Sequence, residues 1–100
     1  MSGEVIFIFI NKSPDGRNNI CGKTISLYRK KLGISQRELA DRLQRAGLDI
    51  DKNAVQRIEA GLRFVTDMEL CYISAVLRLP IDTLLSADEF RNETVSVGGS

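Results

Sequence analysis

The chain has 100 residues, of which 43% are apolar and 27% are charged, with a formal net charge of +1. This composition suits one globular domain with a single core, and it argues against a disordered chain. No apolar run approaches the ~20 residues that a membrane span needs. The longest run, VIFIFI at residues 5–10, lacks the basic flank and cleavage site of a secretory signal, so we expect a cytoplasmic protein.

Histidine is absent, and the two cysteines are Cys21 and Cys71. These residues are too few for the usual four-ligand zinc site, and we expect two free thiols and no metal. The lack of histidine also removes the commonest general base and the usual partner of a serine or cysteine nucleophile. We therefore expect no enzymatic activity and no cofactor.

The charge is distributed unevenly along the sequence. Residues 17–63 contain eleven Lys and Arg against five Asp and Glu, whereas residues 64–100 contain two basic residues against six acidic ones. A basic middle and an acidic end predict a polarised surface, which favours a polyanionic partner.

The N-terminal part predicts a strand followed by a loop. Residues 5–10 are β-branched or aromatic, which favours a β-strand, and residues 11–19 are rich in turn residues. Two interpretations of the strand stay open. It can form a small sheet with residues 94–97 or with its copy in a second chain, or it can be frayed upstream sequence.

Two helices follow the loop. Apolar residues from Ile25 to Leu32 recur at helical spacing, and Gly33 predicts the end of that helix. In SQRELADRLQRAG, Ser35 and Glu38 have the spacing of a capping box, and Gly47 suits the position after the helix.

Three further helices are predicted before the tail. Asp51 is a good N-cap for a helix over residues 52–60, which Gly61 ends, and Ile50 and Val55 have the spacing of a hydrophobic staple. Thr66 and Glu69 form a second capping-box pattern, before a helix over residues 67–79. A short helix over residues 81–85 follows Pro80. The prediction is an all-α domain at residues 22–85, between an N-terminal strand and loop (1–21) and a tail (86–100).

The order of three motifs is specific. ISLYRKKLGISQRELADRL, VQRIEAG and ELCYISAVLRLPIDTLL, in this order, resemble the Cro and lambda-repressor (XRE-type) helix-turn-helix family over residues 22–85. The resemblance implies a five-helix, lambda-repressor-like domain and a sequence-specific regulator of transcription. Such a protein, from a bacterium or its phage, would act as a repressor and bind double-stranded DNA as a homodimer.

The resemblance also implies roles for particular residues. Helix 52–60 would read bases in the major groove, with guanine suited to Lys or Arg and adenine to Asn or Gln. Phosphate contacts would come from the start of the second helix and from the loop after the third. An ion pair would join the first helix to the third. The base-reading residues are Lys52, Asn53, Gln56 and Arg57, the phosphate-binding residues are Gln36, Arg37 and Arg63, and the ion pair is Arg29 with Glu59.

The sequence departs from the family pattern at three places. The family has a tight turn between its second and third helices, whereas residues 44–51 read QRAGLDID, so we expect the second helix to gain a turn through residue 46. Leu62 stands where the family often has a lysine. Arg78 replaces a helix-ending glycine, and we expect Pro80 to end that helix instead. The alternative function is an antitoxin or protein-interaction module on the same fold, binding a toxin or effector domain through its termini.

Overall fold

A computed structural model describes residues 16–86, which form five α-helices. They are α1 (Gly22–Lys31), α2 (Gln36–Ala46), α3 (Lys52–Glu59), α4 (Asp67–Leu77) and α5 (Ile81–Leu84). The predicted all-α, five-helix architecture is confirmed. The predicted strand at residues 5–10, its proposed partner at residues 94–97 and the tail from residue 87 lie outside the described residues. None of the helices within residues 16–86 is long and apolar enough to cross a membrane.

Local capping explains where α3 and α4 begin. Asp51 Oδ1 accepts a hydrogen bond from Ala54 N at 2.8 Å, so the predicted N-cap of α3 is confirmed. At α4, Glu69 N donates to Thr66 Oγ1 at 3.1 Å while Thr66 N donates to Glu69 Oε1 at 2.9 Å. The capping box predicted there is therefore complete.

The capping box predicted at α2 is only half formed. Ser35 Oγ accepts from Glu38 N at 3.0 Å, as expected. The Glu38 carboxylate, however, accepts from Arg42 Nε at 2.9 Å and from Arg45 Nη2 at 3.4 Å. A charged guanidinium one turn along the helix is a stronger donor than the N-cap amide, which explains why the reciprocal half of the box is not made.

The prediction for the end of α4 was wrong. α4 ends at Leu77, two residues before the predicted end, and Arg78 adopts the left-handed conformation itself (φ 57°, ψ 45°). Arg78 N donates to Ala75 O at 3.3 Å, and Leu79 N donates to Ser74 O at 3.0 Å. These bonds satisfy the last carbonyls of α4 in the way a C-terminal glycine would allow, so Pro80 is not what ends the helix. Helices α3 and α5 are each one residue shorter than predicted.

The five helices enclose one apolar core. Helix α2 packs against α3 and α4, and α1 packs against α3 and α5, so that α3 lies with one face on both α1 and α2. The buried apolar residues are Cys21, Ile25, Leu39, Ala40, Leu43, Ile50, Val55, Ile58, Ile73, Leu77 and Leu84. Every helix contributes to this cluster, which fixes the position of α3.

The long connection between α2 and α3 is anchored at both ends. Helix α2 continues to Ala46, as predicted, and Gly47 adopts the left-handed conformation (φ 113°). Leu48 N donates to Leu43 O at 2.9 Å, and Gln44 Nε2 donates to Ile50 O at 2.7 Å. Because Ile50 is itself in the core, the residues before α3 are held by packing as well as by hydrogen bonds.

Candidate nucleic-acid interface

Helix α3 has a buried apolar face and an exposed polar one. Val55 and Ile58 are each 2% exposed and pack into the core. The four predicted base-reading residues all lie on the solvent side of the helix. They form two i, i+4 pairs offset by one residue, which places them together on one face. These residues are Lys52, Asn53, Gln56 and Arg57.

An open groove of about 310 Å³ lies between α2 and the start of α3. It is lined by Arg37, Ala40, Asp41, Gln44, Asp51, Lys52 and Asn53. The groove therefore joins one predicted phosphate-binding residue to two predicted base-reading residues. It also holds two carboxylates, those of Asp41 and Asp51, which the sequence reasoning did not place on this surface. The sequence signal for Asp41 is its spacing: it follows Arg37 by one turn and therefore lies on the same face of α2.

Glu59, near the end of α3, connects three helices through its carboxylate. Arg29 Nε donates to Glu59 Oε2 at 2.7 Å and Arg29 Nη2 donates to Glu59 Oε1 at 3.0 Å. The two side chains are only 10% and 6% exposed. Gln36 Nε2, at the start of α2, donates to Glu59 Oε1 at 3.0 Å. The ion pair that the family resemblance implies is thus present, and it also reaches α2.

The same pair favours the charged form of the Arg29 guanidinium. The hydrogen-bonded Glu59 carboxylate raises the pKa of Arg29 above its ordinary value, against the opposing effect of burial. Arg29 Nη1 donates to Ile34 O at 2.8 Å, which fixes the short loop between α1 and α2. One arginine therefore positions both the loop before α2 and the end of α3.

The three predicted phosphate-binding residues differ in their surroundings. Arg37 is exposed in the first turn of α2. The side-chain amide of Gln36 donates to Glu59, so the fold already holds its orientation. Arg63 Nη1 and Nη2 donate to the Glu69 carboxylate at 3.0 and 2.8 Å. These bonds raise the pKa of Arg63 and lower the pKa of Glu69. The phosphate contacts of all three residues stay predictions.

Sequence reasoning assigned residues 17–19 to a loop and missed their contacts with the end of α3. Arg17 Nη2 donates to Glu59 O at 2.6 Å, and Asn18 N donates to Gly61 O at 2.8 Å. Asn19 Nδ2 donates to Ile58 O at 3.0 Å and to Arg63 O at 2.8 Å. We call residues 17–19 the N-terminal clasp. A sequence signal for it is weak, because the partners are 39 to 44 residues away.

This fold and site define a helix-turn-helix domain of the DNA-binding kind. In this motif α2 is the first helix, and α3 is the second, which presents its polar face beside α2. The chain belongs to the helix-turn-helix family, which its sequence matches over residues 25–84. The N-terminal clasp lies before the matched region.

The structure is similar to the crystal structure of hypothetical transcription factor NHTF from Neisseria. The TM-score is 0.62 at 21% sequence identity, and the match covers 76% of this chain and 82% of that one. At this identity the similarity shows a shared fold. A comparison with curated proteins gives no match.

Proposed function

We propose that the protein is a sequence-specific regulator of transcription that binds double-stranded DNA with α3 in the major groove. The observation that carries the proposal is the exposed polar face of α3, on a helix whose other face is fixed in the core. None of the side chains of that face is buried, so each is available to a base edge. Family membership supplies the class, and this face supplies the proposed reading surface.

The side chains of this face suit base recognition. Lys52 and Arg57 can donate to guanine O6 and N7, and Asn53 and Gln56 can pair with adenine N6 and N7. A good bidentate contact is worth ~1–3 kcal/mol of discrimination against the wrong base. Lys52 and Asn53 lie in the first turn of α3, the part of a recognition helix that reaches deepest among the bases.

Phosphate binding is proposed for the start of α2 and the loop after α3. Arg37 is exposed at the N-terminus of α2, where backbone amides and the helix dipole favour an anion. Gln36 has one further amide hydrogen besides the one that Glu59 accepts. Arg63 is expected to contribute least of the three, because Glu69 neutralises much of its charge.

We further propose that the protein acts as a homodimer and as a repressor in a bacterium or its phage. One recognition helix reads only a few base pairs, and useful specificity requires two half-sites about one helical turn, ~34 Å, apart. A dimer bound over such an operator would occupy the DNA that a polymerase needs. Mass in solution with and without a symmetric operator tests the dimer.

The decisive experiment is in vitro selection of bound DNA across a salt series. Asn53→Ala and Arg57→Ala should change the selected sequence, whereas Gln36→Ala should weaken binding about equally on all sequences. Lys30→Ala is the charge-matched control for Arg57→Ala, because Lys30 is exposed on α1. It should alter the salt dependence at most and leave the selected sequence unchanged.

Two results would count against this function. Binding that is insensitive to salt between ~50 and ~200 mM would contradict phosphate neutralisation, which normally costs orders of magnitude over that range. An unchanged sequence preference in both α3 variants would remove the base-reading assignment. A protein that co-purifies with the chain and displaces DNA would favour the alternative, an antitoxin or interaction module with a toxin or effector partner.

A further inference from the structure

We propose that the N-terminal clasp is a positioning element for α3, which sets the angle at which the reading face meets DNA. The proposal goes beyond the family, because residues 17–19 precede the matched region at residues 25–84. Its effect on DNA binding rests on the proposed function. Its effect on α3 itself does not, so the two can be tested separately.

The clasp completes the hydrogen bonding of the last turn of α3. The final four carbonyls of a helix lack intrahelical partners and need others. Gln56 O accepts from Ala60 N, and Arg57 O accepts from Leu62 N. Ile58 O accepts from Gly61 N and from Asn19 Nδ2, while Glu59 O accepts from Arg17 Nη2. The clasp therefore supplies a donor to each of the last two carbonyls of α3.

The turn after α3 is tied to the same segment. Asn18 N donates to Gly61 O, and Asn18 Nδ2 donates to Leu62 O at 3.1 Å. Asn19 Nδ2 bridges Ile58 O and Arg63 O, so that one amide joins the helix to the end of the turn. These bonds fix the exit direction of α3 as well as its last turn.

The same asparagine also joins α3 to α1. Asn19 Oδ1 accepts from Gly22 N at 2.8 Å, at the first residue of α1. A Cβ atom at Gly22 would lie 2.2 Å from Ile58 O, so the start of α1 and the end of α3 are in direct backbone contact. Asn19 therefore bonds to both backbones at the point where the two helices meet.

The charge and the packing of Arg17 both stabilise the C-terminal end of α3. A guanidinium at a helix C-terminus interacts favourably with the negative end of the helix dipole. A Cβ atom at Gly61 would lie 2.7 Å from Arg17 Cζ, so the arginine packs directly over the backbone of the turn. Gly61 adopts the left-handed conformation (φ 80°) and leaves room for that side chain.

Anchoring of this kind matters because of the connection before α3. A helix of eight residues has little stability of its own, and its orientation depends on tertiary contacts. The connection over residues 47–51 is longer than the tight turn of the typical motif. The bond from Gln44 to Ile50 O holds the N-terminal side of α3, and the clasp and Glu59 hold its C-terminal end, so the angle of the helix on the domain depends on both ends.

The first test measures amide hydrogen exchange in the full-length protein without DNA. Asn19→Ala should speed exchange of the amides at Ala60, Gly61 and Leu62 by at least about 10-fold, the factor that corresponds to the net loss of one of its hydrogen bonds. Val76→Ala is the stability control, because Val76 is partly buried on α4. It should not raise the exchange rate of these amides relative to those of α2. Unchanged exchange at residues 60–62 in Asn19→Ala would overturn the proposal.

The second test measures sequence discrimination, at a temperature where both variants are folded. Asn19→Ala should lower the ratio of affinities for selected and unrelated DNA by ~5-fold or more, the low end of what one misplaced base contact costs. Val76→Ala should keep the wild-type ratio. Faster exchange with an unchanged ratio would overturn the positioning role, because the clasp would then stabilise α3 without setting its angle.

A milder variant keeps the test decisive if Asn19→Ala fails to fold. Asn18→Ala removes the exposed hydrogen bond to Leu62 O and should shift both measurements in the same direction by a smaller factor. If wild-type protein shows no sequence preference, the proposed function fails. The exchange measurement then decides the clasp by itself.

Discussion

Removing the Glu59 carboxylate should destabilise the domain far more than removing a surface carboxylate. Glu59→Ala leaves the Arg29 guanidinium buried without its counterion and deprives Gln36 of its acceptor. Breaking one partner of a buried pair costs ~3–5 kcal/mol, because an uncompensated charge stays inside the protein. Arg29 keeps one bond, to Ile34 O, which places the expected loss near ~3 kcal/mol, at the low end of that range.

The loss is large enough to measure by thermal and urea unfolding. For a domain of this size, 1 kcal/mol moves the melting temperature by roughly 4–8 °C, so Glu59→Ala should lower it by about 12–24 °C. The matched control is Glu38→Ala. Glu38 pairs with Arg42 and Arg45 on the surface, where ion pairs contribute little, and the melting temperature should barely move.

A double-mutant cycle separates the pair from the cost of an orphaned charge. Arg29→Met with Glu59→Met removes both charges and keeps most of the apolar volume. The double variant should lose less stability than the two single variants together, because no buried charge is left unpaired. A drop of less than about 4 °C in Glu59→Ala, equivalent to under ~1 kcal/mol, would refute the reasoning, as would a double variant less stable than additivity predicts.

Three further predictions concern Glu69, the two cysteines and Gly22. Glu69→Gln should cost about 1 kcal/mol at pH 7. Arg63 lowers the pKa of Glu69 in the folded state. The stability that the ionised carboxylate contributes is therefore fully present above about pH 4.3, the pKa of Glu in an unfolded chain, and it is lost as the pH falls through the lower pKa of the folded state. Urea titrations should show a smaller difference from wild type at pH 3 than at pH 7. Native protein should react with a thiol reagent at Cys71, which is exposed. Cys21 should react only after unfolding, because it is buried and burial raises its pKa to about 11. Two reactive thiols in native protein would contradict this. Gly22→Ala should cost ~1–3 kcal/mol in the same urea assay, since its Cβ overlaps a carbonyl of α3; a wild-type midpoint would contradict that close approach.

Helix starts could be predicted from the sequence because their causes are local. The caps of α3 and α4 depend on a side chain and an amide three residues apart, so the pattern Asp51 to Ala54 is visible in the chain itself. The Ser35 cap was likewise visible. The second bond of that box was not, because Glu38 had a choice between an amide and Arg42, and the sequence does not rank such choices.

The contacts of residues 17–19 could not be predicted for a different reason. Asparagine-rich turn sequences look the same whether their amides bond to water or to a distant backbone. Only the folded chain brings Asn19 within 3.0 Å of Ile58 O. Arg78 is a related case, since a left-handed arginine is uncommon and the sequence pattern favours a glycine there. Side-chain contacts across the fold and unusual backbone conformations are set by tertiary packing.

The residues that hold α3 in place and the residues proposed to read DNA are different, so the DNA sequence preference of α3 can change without loss of the fold. The helix is held by Val55 and Ile58, which are in the core, and by Glu59, which forms the buried ion pair. The four proposed reading residues are all exposed. Surface substitutions away from buried contacts usually change stability by less than ~0.5 kcal/mol. The reading face can therefore be replaced with little effect on the fold, provided that the Asp51 cap at one end of α3 and the contacts of Glu59 and the clasp at the other are kept. Under the proposed function, sequence preference and stability are then separable properties of the same eight-residue helix.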